Sequence, residues 1–288
     1  MSRFARARHY VEYAAFVLTA ALMRALPLEV ASRWSGMGWR AVAPHLRRHQ
    51  RALDNLALAL PETSAAERQR IALAMWENLG RTFAEFFHLR EIDAQDRLAP
   101  ESPERVRAII EGGPCIVCGL HMGNWELLPL AGRRLGVNVA GVYQKLTNPL
   151  VDRAVYEMRS PMCPGGLMDK SPATARALLR IARQGGSLAF LADLHEGHGL
   201  DTPFFGKPAR SNPFPALIAR ATGRPLYAAR ILRLPDAHFT LRIEPVEVPV
   251  TADRDADIAA ATAAMQARFE EFIREAPEQW MWAHRRWR

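Results

Sequence analysis

Three features of the chain predict an α/β fold with a mixed central sheet flanked by helices. From residue 114 onward, short apolar runs alternate with helical stretches, as expected of a sheet covered on its faces. Two of the runs, 116–120 and 187–192, end in a polar residue, His121 and Asp193 respectively. Upstream of residue 114 the chain reads as helical or as polar connection, with no alternating strand pattern.

Taken in order, the first element is a mostly apolar helix over residues 10–28. Glu12 and Arg24 interrupt it, leaving an uncharged core at 13–23. That core is shorter than the roughly 20 apolar residues a bilayer crossing needs. No small-residue cleavage pattern follows it. Arg3, Arg6 and Arg8 precede it, and Arg33, Arg40, Arg47, Arg48 and Arg51 follow. Cations on both flanks favour a helix lying in one leaflet over a span. Residues 47–90 read as two helices parted at Pro61, the second capped by Thr63 or Ser64. Residues 91–113 read as a connecting helix and loop. Strands are predicted at 115–120, 137–143, 187–192, 225–232 and 238–246, and helices at 125–135, 150–159, 173–183 and 255–276. The expected organisation is a membrane-associating helix (1–30), a helical region packed on the core (31–113) and an α/β core (114–288).

The composition is that of a globular protein, with 49% hydrophobic, 8% aromatic and 24% charged residues in 288. It argues against a disordered or polytopic chain. Lys and Arg number 38 against 30 Asp and Glu, giving +8, so polyanions such as nucleic acid, anionic lipid or an acidic carrier are natural partners. Three cysteines make no disulfide framework. Cys115 and Cys118 point to opposite faces of a strand, which argues against a shared metal or redox site. No metal and no cofactor are expected.

The most informative segment is 115–126, CIVCGLHMGNWE. A buried strand ends at His121, a glycine turn follows, and Asn124 stands where it can cap the next helix. Strand ends of this kind form the ligand crevice of open α/β sheets. Glu126 falls in the first turn of that helix, where it is expected to accept a hydrogen bond from the imidazole. A histidine so held is a candidate general base for a hydroxyl. Asp193 ends a second strand and is expected to share the crevice. His195 and His198 follow it in a glycine-rich loop that offers no clear third metal ligand. Phe204 and Phe205 read as an exposed aromatic pair, and Arg159 closes a helix where it either caps carbonyls or presents a guanidinium to phosphate. Residues 277–288 place Trp280, Trp282 and Trp287 among Arg285, Arg286 and Arg288, a mixture suited to a membrane interface or to single-stranded nucleic acid. The lipid reading is preferred because no nucleic-acid motif accompanies it.

Together, these motifs resemble the bacterial lipid A biosynthesis late acyltransferases of the lauroyl/myristoyl type, within the lysophospholipid acyltransferase-like superfamily. The resemblance rests on His121-Met-Gly-Asn-Trp-Glu126, on Val142-Tyr143 with Asn148-Pro149, on Asp193 followed by Phe204-Phe205-Gly206, and on the ending PEQWMW with HRRW. It covers nearly the whole chain. Leu194 departs from the glutamine common after the aspartate, and His195 and His198 are additional. The resemblance implies a glycerol-3-phosphate acyltransferase-like fold. It also implies direct acyl transfer from acyl carrier protein to a hydroxyl of a lipid A precursor, with His121 as general base and Glu126 orienting it. Arg159, Asp193, Asn124 and Tyr143 are then the candidate substrate contacts. The expected location is the cytoplasmic face of the bacterial inner membrane, with an anionic glycolipid as acceptor and no nucleic acid partner. Competing readings are the same chemistry on an ornithine lipid, a phosphatidylinositol mannoside or an aryl polyene precursor, a non-catalytic basic membrane-binding protein, and a metal-dependent hydrolase built on His195 and His198.

Overall fold

The computed structural model describes residues 3–287; Arg288 and the side chain of Arg3, both counted in the sequence reading, lie outside what is described. Six helices come first: α1 (Arg3–Ala25), α2 (Leu28–Val42), α3 (Arg47–Ala59), α4 (Ala65–Glu85), α5 (Leu89–Ala94) and, after strand β1 (Leu98–Pro100), α6 (Pro103–Glu111). Ser64 caps α4, its Oγ accepting from the Glu67 amide at 3.1 Å, the arrangement a Ser-x-x-Glu start favours. The remaining elements are β2 (Ile116–Gly119), α7 (Leu128–Arg134), β3 (Val139–Tyr143), α8 (Pro149–Arg159), β4 (Leu167–Asp169), α9 (Pro172–Arg183) and β5 (Ser187–Leu191). They continue with β6 (Leu200–Phe204), β7 (Lys207–Ser211), α10 (Phe214–Thr222), β8 (Leu226–Arg233), β9 (Phe239–Val246) and α11 (Arg254–Glu275).

Seven strands form one sheet in the order β1-β9-β8-β2-β5-β3-β4. All neighbours are parallel except the β8–β9 hairpin, so the sheet is mixed, as the sequence predicts. Residues 98–100, expected in a loop, add the edge strand β1 beside β9. Three residues are too few to show a period of two, which is why the sequence did not reveal this strand. The same holds for β4. The segment after Asp193, read as loop, is the antiparallel hairpin β6–β7.

Alternate strand residues feed two cores. Ile116, Cys118, Leu188, Phe190 and Ala228 pack with α4 and α11 on one face, while Ala229, Ile231, Leu241 and Ile243 pack under α7 on the other. Cys118 is buried in the first core, whereas Cys115 lines a small cavity beside α6 and α7. The two thiols therefore lie on opposite faces, and burial pushes both up in pKa.

The C-terminal tryptophans do not face lipid. Trp280 and Trp282 are fully buried, their ring centroids 4.6 Å apart, and Phe204 and Phe205 are buried against them and Trp287. Arg286 is also buried, stacked 4.5 Å over Phe204, and it donates to Ser211 Oγ (2.7 Å) and the Arg210 carbonyl (2.8 Å). Burial pulls its pKa down to about 10, Asp193 and Glu270 opposing. The aromatic–arginine pattern thus reports a buried core plug. Rings and guanidinium groups pair as well inside a protein as at an interface.

Gly123 fixes the turn after β2. Its φ is +57°, and a β-carbon there would sit 1.9 Å from the Ile231 carbonyl oxygen. Gly123→Ala is expected to destabilise the protein by about 3 kcal/mol or more, through the left-handed backbone and the clash together. Denaturant unfolding checks this, and an unchanged midpoint would show that the turn relaxes freely.

Candidate active site

The parallel register of β2 and β5 creates the site. Ile116 pairs with Leu188 and Gly119 with Leu191. The same offset carries on past both strand ends and sets His121 beside Asp193. The imidazole Nδ1 lies 2.8 Å from Asp193 Oδ1, and the His121 amide donates to Oδ2 at 3.0 Å. The indole Nε1 of Trp280 donates to the same Oδ2 at 2.8 Å. Burial of Asp193 alone would raise its pKa. His121, through its charge and its two hydrogen bonds, and the indole outweigh that and hold the carboxyl down at about 2. An ionised carboxylate only accepts, so the ring hydrogen sits on Nδ1 and Nε2 is left as the basic nitrogen.

His121 opens onto a cleft of about 1070 Å³ at the C-terminal ends of β2, β3 and β5. Glu126, Tyr143 and Arg159 line the same cleft. The walls are mostly apolar, including Val142, Met162, Leu178 and Phe214. One end is polar, where Lys170 donates to Glu196 at 2.7 Å beside His195 and His198. Among the described residues no group of three or more His, Cys, Asp or Glu side chains is placed to hold a metal ion.

The expected His121–Glu126 hydrogen bond is replaced by another pairing. Residues 125–127 form a single 3₁₀ turn that carries Glu126 to Arg159 at the end of α8. Arg159 forks onto it, Nε to Oε2 at 2.8 Å and Nη2 to Oε1 at 2.5 Å, with its guanidinium 5.2 Å over the Phe86 ring. The acid that orients His121 is Asp193, 72 residues away, which the sequence reading had placed on the substrate. Strand pairing, invisible in spacing, took the position that proximity in sequence suggested for Glu126.

Asn124 also departs from expectation. It makes no side-chain cap and does not line the cleft; fully buried, it donates from Nδ2 to Glu85 Oε2 at 2.9 Å. A buried carboxylate is a stronger acceptor demand than a helix start that can close by 3₁₀ bonding. Tyr143 is in the cleft wall with its hydroxyl 3.4 Å from Asp152 Oδ2.

Trp280 and His284 were not identified as site residues by sequence. The C-terminal segment runs antiparallel to the His121 loop: the Gly123 amide donates to the Gln279 carbonyl at 3.0 Å, and the Met281 amide to the His121 carbonyl at 3.1 Å. The segment also sets His284 5.7 Å from the His121 ring, with Trp125 5.2 Å away, centroid to centroid. Burial, His121 and the guanidinium groups of Arg48 and Arg51 pull the His284 pKa down to about 4, with Asp193 opposing. His284 is therefore a neutral neighbour at neutral pH. The motif PEQW–HRR was legible as unusual, but its direction of packing was not.

Residues 1–288 match the family described as bacterial lipid A biosynthesis acyltransferase. The chain is 27% identical over 278 residues to the lipid A biosynthesis lauroyltransferase of Escherichia coli (strain K12), covering 91% of this chain and 87% of that protein. A whole-length match, together with a histidine–aspartate pair at the mouth of a lipid-sized apolar cleft, places this chain in the bacterial lipid A biosynthesis acyltransferase family.

Proposed function

We propose that the protein moves a fatty acyl chain from acyl carrier protein to a hydroxyl of a lipid A precursor, at the cytoplasmic face of the inner membrane. The observation that carries this reading is the Asp193–His121 pair, with Nε2 left free to act at the apolar cleft. Nε2 accepts the proton of the acceptor hydroxyl as its oxygen attacks the thioester carbonyl. The C–S bond then breaks, and the departing sulfur takes the proton back from the imidazolium. Asp193 fixes the tautomer and stabilises that imidazolium, as the carboxylate does in a catalytic triad. Cys163, a thiol in the cleft wall, is buried, and burial pushes its pKa up to about 11, so it stays protonated and direct transfer is preferred to an acyl-enzyme.

Arg159 is the proposed contact for an acceptor phosphate; it lines the cleft and is held in place there by Glu126. The cleft's apolar length suits hydrocarbon chains. Membrane association is supported by α1, which packs on α2 and α8 and leaves a stripe of Val11 (69% exposed), Leu18 (70%) and Leu22 (59%) uncovered. Trp34 and Met37 of α2 are exposed as well. No helix among the described residues is long and apolar enough to cross a membrane, so the stripe is read as lying on the leaflet. The +8 charge favours both an anionic surface and an acidic carrier.

The direct test incubates the purified protein with lauroyl- or myristoyl-acyl carrier protein and a tetra-acylated or penta-acylated lipid A precursor, followed by mass spectrometry. One added acyl chain is expected from the wild type, and less than about 1% of that rate from His121→Ala. Comparable rates in the two would remove the general-base assignment. Asp193→Asn should cut kcat by roughly 10²–10⁴-fold, because an amide no longer demands the Nδ1–H tautomer. A kcat within about threefold of wild type would remove Asp193 from the tautomer-fixing role. Arg159→Ala should raise the KM for a phosphorylated acceptor about tenfold and leave that for a dephosphorylated one unchanged, and equal effects on both would argue against phosphate contact.

A further inference from the structure

A buried polar cluster stands behind His121, away from the cleft. Helix α4 presents Asn78, Thr82 and Glu85 at i, i+4 and i+7, on one face. That face meets the turn immediately after the histidine. Thr82 Oγ1 donates to the Gly123 carbonyl at 2.8 Å, and Asn78 Nδ2 donates to the same oxygen at 3.0 Å. Glu85, fully buried, accepts from the Asn124 side-chain Nδ2 on Oε2, and on Oε1 it takes the Ser32 hydroxyl (2.7 Å) and Arg233 Nη1.

Arg233, at the end of β8, ties the cluster together. Its Nε donates to Asn78 Oδ1 at 2.9 Å and its Nη2 to Thr82 Oγ1 at 2.8 Å. Its own backbone is clamped by Gln279, whose side chain accepts from the Arg233 amide (2.8 Å) and donates to its carbonyl (3.0 Å). The Gln279 carbonyl in turn receives the Gly123 amide and Asn78 Nδ2. Trp280, the indole donor to Asp193, is the next residue. The cluster thus grips the chain two residues beyond His121 and one residue before Trp280.

A buried ion pair is an inefficient source of stability, because desolvation offsets most of its attraction and an apolar core would serve as well. Here Asn78 and Thr82 are spent on the backbone that carries the reactive pair, and Glu85 and Arg233 hold those two side chains and that of Asn124 in place. We propose that Asn78, Thr82, Glu85 and Arg233 are positioning residues for acyl transfer. They hold His121 through Gly123 and Asn124, and hold Asp193 through Gln279 and Trp280, so that Nε2 meets the hydroxyl at reacting distance. None of them lines the cleft. The inference rests on the reading of His121 as the base.

The test compares Thr82→Val, which keeps the volume and loses the hydroxyl, with Thr82→Ser, which keeps it. Ser32→Ala is the control, since Ser32 binds the same carboxylate but touches neither the turn nor Gln279. All are assayed well below their unfolding temperatures. Thr82→Val should lower kcat roughly 10–100-fold, as sub-ångström misplacement of a reacting group does, with both KM values within about twofold of wild type. Thr82→Ser should recover most of the rate, and Ser32→Ala should lose stability while retaining kcat. Wild-type kcat in Thr82→Val, equal losses in the Val and Ser variants, or an equal loss in Ser32→Ala would each overturn the proposal. If Thr82→Val does not fold, Asn124→Ala, which frees the turn from Glu85, is judged by the same split between kcat and KM. Failure of the general-base reading would appear separately, as His121→Ala retaining the wild-type rate.

Discussion

The structure depends on an ionised aspartate held in a place where water cannot reach it. Asp193 is fully buried, and removing a carboxylate from water costs several kcal/mol unless donors replace the water. Three N–H groups do so, two from His121 and one from Trp280. They come from two parts of the fold: the end of β2, and the C-terminal segment that crosses back over it. Satisfying this one carboxylate therefore fixes the strand register, the orientation of the imidazole and the path of the chain after α11.

The same requirement explains why so much polar material is buried around the turn at Gly123. Its carbonyl and amide lie away from solvent and must be paired. They are paired by α4 and by Gln279, elements distant in sequence. Glu85 and Arg233 compensate one another inside this cluster, burial pulling the arginine's pKa down and the carboxylate opposing it. Helix α4, which precedes the α/β core, is thus part of the site's support. On the opposite side of His121 the packing is apolar and open, which leaves room for hydrocarbon.

The two acid–base pairs of the cleft show how close alternatives are resolved. Glu126 and Asp193 are both cleft-side carboxylates near His121, and two donors, the Arg159 guanidinium and the imidazole Nδ1, are available to them. The planar guanidinium takes Glu126 because the two groups meet fork to fork at the cleft wall. The imidazole takes Asp193, which lies in its ring plane's reach through the paired strands. With Arg159 occupied on one edge, the cleft presents a directed, partly neutralised cation in place of a free one.

Much of this was legible in the chain itself. The alternation of strands and helices, the histidine at a strand end, the mostly apolar first helix, the helix start at Thr63 or Ser64 and the opposed cysteines follow from periodicity and local chemistry, which act over a few residues. The partner of His121, the inward packing of Trp280, Trp282 and Arg286, the conversion of Asn124 from cap to core ligand, and the strand β1 were settled by tertiary structure. Each of these turns on which distant segment arrives alongside, and on whether a polar group meets water or a donor there. Residue order carries the first kind of information; the second exists only once strand pairing and burial have decided which atoms face one another.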